Sequence, residues 1–279
     1  MFTAGYALRA YGAFDYMYSE STLIIYILSQ VFINICPPLL ELANYHVLGR
    51  ILYYVPHLAP LPPGRILAVF GGLMALVECL NALGVALSAD PSGSPQKQTL
   101  GKGLILAALG MQLIVIGVFV GLAGVFHRRC AGAGVQTNAV ATPLGVLYVS
   151  MGLILVRCVY RLVEHAGNAE VHLDDFEALK SLSPILRYEW FFYVFEATLM
   201  LVNSALWNIW NPGRFLPRDY RVHLAKDGRT EVKGRERPDH RSIAAKVAHV
   251  LTFGLFFSRN KDLFQGEERE ELAVSGSAV

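Results

Sequence analysis

Two runs of this chain carry charge where their neighbours are apolar. In the first, Arg157, Arg161 and Glu164 recur at i, i+4 and i+7, which places them on one face of a helix. In the second, Glu189, Tyr193, Glu196, Met200, Asn203 and Trp207 follow one another in alternating steps of four and three, again one face. A charged group inside a bilayer costs at least ~2.5 kcal/mol unless it is paired or wet. Such residue types can do two things there. They can clamp helices together as ion pairs, or they can line a cavity for a polar head group. If Glu164 and Glu189 sit at one level, Arg157 and Glu196 each lie about 10 Å deeper, at 1.5 Å per residue, and an Arg157–Glu196 ion pair satisfies both. Arg161 can then bridge to Glu189 or Glu164. A separate carboxyl, Glu78, falls mid-span with Asn81 close by. It reads either as hydrogen-bonded to Asn34 or Gln112, or as a proton relay.

Other chemistries lack their residues. No His-x-x-x-His or His/Asp cluster lies on a span, so no metal site is expected. There is no Gly-x-Ser-x-Gly elbow and no phosphate-binding Gly-rich loop with its Lys. The expectation is a protein that is not an enzyme and uses no cofactor. Cys36, Cys79 and Cys158 lie in apolar segments and Cys130 in a basic loop, with no disulfide framework.

The elements that must position these residues follow from composition. Hydrophobic residues make up 54% of the chain and charged residues 16%, where a soluble chain would be about a quarter charged. Five apolar stretches approach the ~20 residues that span a bilayer: about 22–49, 66–89, 103–126, 139–161 and 190–210. The predicted fold is an all-α, polytopic transmembrane helix bundle over 1–213, followed by a basic tail over 214–279. Pro37 and Pro38 should kink or break the first span, on which Gln30, Asn34, Glu41 and Asn44 share roughly one face. Gln112 is the one amide of the third span. Gly117, Gly121 and Gly124 there either permit close helix approach or reflect ordinary membrane-helix composition. Met1 to Leu8 is too short and uncharged for a signal peptide, and reads as the end of a span whose start is absent.

Lys and Arg near span ends orient the bundle. Arg50, Arg65, His127, Arg128, Arg129 and the tail (Arg214, Arg218, Arg221 onward) fall on one side, expected to be cytoplasmic. The linker 90–102 and the acidic loop 165–188 fall on the other, with Arg9, Lys97 and Lys102 as minor exceptions. The tail has no strand or finger pattern and reads as lipid-facing, not nucleic-acid-binding. Within it, 243–257 suits an interfacial helix or one packed on the bundle, and the acidic end reads as solvated.

These residues carry a resemblance. Arg157, Tyr160, Arg161 and Glu164 match an Arg-x-x-x-(Phe or Tyr)-Arg-x-x-Glu run. Glu189, Tyr193, Glu196 and Met200 match Glu-x-x-x-Tyr-x-x-(Asp or Glu)-x-x-x-Met, which closes near Pro212 and Gly213. Upstream, Gly5, Tyr6 and Arg9 fit Gly-Tyr-x-x-Arg, and Pro37, Pro38, Tyr45, Gly49 and Arg50 fit the next span. The pattern resembles the fungal RTA-like, or lipid-translocating exporter, family. Four features depart from it: fewer spans than the family's seven, Glu196 where Asp is common, a longer loop before Glu189, and only an approximate polar pair at Glu78 and Asn81. The resemblance implies a protein of the plasma membrane, or of the vacuole or endoplasmic reticulum. It implies partners among membrane lipids, an amphiphilic substrate such as a sphingoid long-chain base, and resistance to toxic lipids or drugs. The alternative is a receptor-like lipid sensor without transport. A lipid-modifying enzyme lacks its catalytic set.

Overall fold

A computed structural model describes residues 2–14, 20–88, 94–135, 137–167, 188–217, 219, 222–225 and 230–233. The acidic loop (168–187), the tail beyond Lys233 and the side chains of Gln30 and Glu189 lie outside the described residues, as do the expectations attached to them. Helices run over α1 Phe2–Phe14, α2 Glu20–Tyr54, α3 Pro63–Ser88, α4 Pro95–Gly132 and α5 Asn138–Ala166. The next span is composite: α6 Glu189–Phe192, a π-helical stretch Tyr193–Thr198, and α7 Leu199–Ile209. Among the described residues, five helices are long and apolar enough to cross a membrane. The chain is an all-α, multi-pass membrane protein.

Helix ends follow local chemistry. Pro63 opens α3, where its missing N–H would have no intrahelical partner anyway. After α4, Gly134 adopts φ +72°. The Val135 N–H then reaches the Cys130 carbonyl at 3.0 Å and the Gly134 N–H reaches that of Ala131 at 3.2 Å. Those two bonds make a Schellman cap, and the left-handed conformation favours glycine. Cys130 accordingly sits in the last turn of α4, buried, not in a loop. Pro37 and Pro38 do not break α2, which holds both inside one 35-residue helix. At 1.5 Å per residue that is about 50 Å, well beyond the ~30 Å apolar core of a bilayer.

The chain forms two compact units. The first gathers 1–44, 76–117 and 146–210. Its helices meet closely at α3 and α4: a Cβ built on Gly84 would stand 2.9 Å from the Gly101 carbonyl oxygen, and one on Gly101 would stand 2.7 Å from that of Gly84. Gly117, Gly121 and Gly124 have nothing within 4 Å of a built Cβ, so close approach falls at Gly84 and Gly101 instead. The second unit gathers 45–75, 118–145 and 211–279. Its core holds a ring cluster of Tyr45, Phe70 and Phe119, with centroids 4.7 to 5.4 Å apart. The tail departs from expectation there, because β1 Val222–Leu224 pairs antiparallel with β2 Glu231–Lys233. Arg50 Nη2 donates to the Pro217 carbonyl at 2.7 Å, and Tyr54 Oη to Glu231 Oε1 at 2.8 Å.

Candidate functional site

The polar side chains of the first unit converge from α2, α4, α5 and the composite α6–α7 span. Arg157 on α5 donates through Nε to Glu196 Oε1 at 2.7 Å, and its Nη2 lies 2.6 Å from the same oxygen. The two side chains are 8% and 0% exposed. Arg161, one turn along, is shared among three partners. Nη1 contacts Glu164 Oε2 at 3.0 Å, Nη2 donates to Asn34 Oδ1 at 2.7 Å, and Nε lies 3.8 Å from Glu196 Oε2. That last distance is an ion pair without a hydrogen bond. Glu196 Oε2 has no hydrogen-bond partner among the described residues. One oxygen of this carboxylate is thus held twice by Arg157, and the other has only distant charge.

Glu196 lies inside the π-helical stretch, where Thr198 Oγ1 donates to the Tyr193 carbonyl at 3.1 Å. Wider turns of this kind shift the register of everything before them. Glu196, Met200 and Asn203 are fully buried, as the alternating spacing predicts, but Tyr193 is 42% exposed. Tyr193 therefore leaves the stripe, and its ring stands 6.4 Å from that of Tyr6. Arg9 lies over the Phe192 ring at 4.7 Å, a cation–π contact between α1 and α6.

Deeper along the helices the amides choose other partners than expected. Glu78 bonds neither Asn34 nor Gln112; its side chain is hydrogen-bonded to Asn81, the next turn of α3. Asn34 is taken by Arg161. Gln112 Nε2 donates to Glu41 Oε2 at 2.9 Å, and the Cys158 thiol donates to Gln112 Oε1 at 3.4 Å. Glu41 was legible as part of the α2 face but not as this partner, since spacing fixes a face and not which neighbour it meets. Asn44 donates to Ser150 Oγ at 2.9 Å and to Met151 Sδ at 3.2 Å. Trp207 Nε1 donates to the same Ser150 at 3.0 Å. Ser150 is a residue the charge pattern misses, although it lies seven positions before Arg157 on the same helix. Asn203 is fully buried, and neither its amide nitrogen nor its oxygen has a partner among the described residues. Among those residues no group of three His, Cys, Asp or Glu side chains converges as a metal would need.

A buried, hydrogen-bonded charge network between membrane helices can bind and orient a polar group. Compared with known families, the chain matches the RTA1 like protein family over residues 1–219. It belongs to that family. A lipid-translocating exporter-like protein RTA1 of Leptosphaeria maculans is 48% identical over 97% of this chain and 53% of its own length. A protein of the same name from Ajellomyces capsulatus is 27% identical over 85% of this chain and 74% of its own. The probable lipid transporter atnI of Emericella nidulans is 26% identical over 67% and 50%. The chain thus spans about half the length of the first of these relatives. No solved structure matches it.

Proposed function

We propose that this RTA1-like chain moves amphiphiles with a cationic head group across the membrane by transport, without covalent chemistry. The observation that carries the reading is Glu196. It is a fully buried carboxylate whose Oε2 lacks a hydrogen-bond donor among the described residues. A buried acceptor without a donor is costly, and an ammonium group supplies up to three donors. A sphingoid long-chain base has that head group and a single tail that fits among helices. Relatives named as lipid-translocating exporter-like proteins and a probable lipid transporter support the class. Sphingoid-base export, resistance to toxic lipids or drugs, and residence in the plasma membrane belong to the same proposal. The test is efflux of a labelled sphingoid base from vesicles holding the purified chain. Protein-dependent efflux that Glu196→Gln abolishes is expected, and its absence from the wild type overturns the reading. A sensor without transport draws on the second unit, where Arg50 and Tyr54 on α2 hold the tail through Pro217 and Glu231. In that case the base binds but does not cross.

A further inference from the structure

We infer that Asn203 is a second station for the head group, on the same span as Glu196; the inference rests on the transport reading above. Asn203 is the odd amide of the first unit. Asn34, Asn44 and Gln112 each hold hydrogen bonds to another helix. Asn203 is as buried as Asn44, yet neither its Nδ2 nor its Oδ1 finds a partner among the described residues. Stability does not explain it, because an unsatisfied buried amide is worse for the fold than an apolar side chain of the same shape, and leucine is close to that shape.

Its position suggests a use. It lies seven residues from Glu196, about 10 Å along the span, and both are fully buried with Met200 between them. Leu201 and Val202 next to it are exposed, so the buried face is narrow. Glu196 offers an unshared oxygen and Asn203 offers both a donor and an acceptor. A head group carrying amine and hydroxyl finds one kind of partner at the first and both kinds at the second. The flanking residues on this face are the Met200 thioether and a Trp207 indole whose N–H is already bonded to Ser150. The station is therefore suited to transient occupancy by a passing polar group.

The test uses the full chain in vesicles with a fluorescent long-chain primary amine bearing a hydroxyl, reading its binding, its transbilayer rate and the melting temperature of the protein. Asn203→Leu is expected to melt at or above the wild-type temperature and to bind the probe within about twofold of wild type. Its transbilayer rate should fall about tenfold or more, the worth of one or two hydrogen bonds along the path. Asn203→Ser, which keeps a donor and an acceptor, should recover most of the rate. A wild-type rate in Asn203→Leu overturns the inference. So does a lower melting temperature that serine does not restore, since the amide is then a structural group held by internal water. Glu196→Gln separates the two readings. If it still binds and moves the probe while Asn203→Leu binds it without moving it, the Glu196 reading fails and the Asn203 station stands. If the wild type neither binds nor moves the probe, both fail.

Discussion

Arg157 and Glu196 meet at 2.6 to 2.7 Å with almost no exposure, so removing either strands the other in a low-dielectric interior. Arg157→Gln or Glu196→Gln should each lower stability by about 3–5 kcal/mol. The swap Arg157→Glu with Glu196→Arg should return part of that, because the Coulomb attraction survives exchange. It should not return all of it, because the new arginine faces Arg161, whose Nε now stands 3.8 Å from Glu196. A double-mutant cycle on thermal unfolding in detergent measures the coupling. Single effects that add within about 0.5 kcal/mol would mean that the pair contributes nothing as a pair. The contact was legible in the sequence because two periodic stripes and a common rise per residue put both charges at one depth. The partner of Glu78 was not. Depth and face leave open which of several helices stands opposite, and Glu41 competes for Gln112. Tyr193 was misplaced for a different reason: the regular spacing assumes α geometry, and the π stretch Tyr193–Thr198 changes the phase beneath it.

At the scale of elements, small residues decide how closely helices approach, and the sequence shows many glycines without saying which are used. The α3–α4 contact uses Gly84 and Gly101, where a built Cβ falls 2.7 to 2.9 Å from the opposite carbonyl oxygen. Backbone cannot yield there as a side-chain tip can, and such overpacking costs about 1–3 kcal/mol or more. Gly84→Leu and Gly101→Leu should therefore lower the melting temperature sharply or abolish the folded peak on size exclusion. Gly117→Leu and Gly121→Leu, with nothing within 4 Å, should leave both readouts near wild type. Equal damage at all four positions would show that helix flexibility, not close approach, is what the glycines supply. The span count and helix class were legible because ~20 apolar residues admit few alternatives in a bilayer. The unbroken α2 was not, since a proline's local preference against the helix interior is about 3 kcal/mol and packing of a long span can exceed it.

At the scale of the molecule, basic residues decide the orientation. Arg50, Arg65, His127, Arg128, Arg129 and Arg214 lie close to the ends of α2, α3, α4 and the α6–α7 span. Basic residues close to span ends favour the cytoplasmic side, so these ends, and the tail with them, should face the cytoplasm. The β1–β2 hairpin was not legible, because three-residue strands carry too little periodicity to register. Orientation can be read directly by labelling. In a background where the exposed Cys79 is replaced by serine, Ser181→Cys should react with a membrane-impermeant thiol reagent in intact cells. Ser242→Cys should react only after permeabilisation. The assignment matters for the transport reading, because it sets the side from which Glu196 is reached. With Arg157 seven residues before Glu164 on α5, the Arg157–Glu196 pair lies about 10 Å inward from Glu164, in the last turn of that helix. That end belongs to the side carrying the 168–187 loop. The reverse labelling pattern would place Glu196 nearer the cytoplasmic leaflet. A head group would then meet Glu196 first from inside the cell.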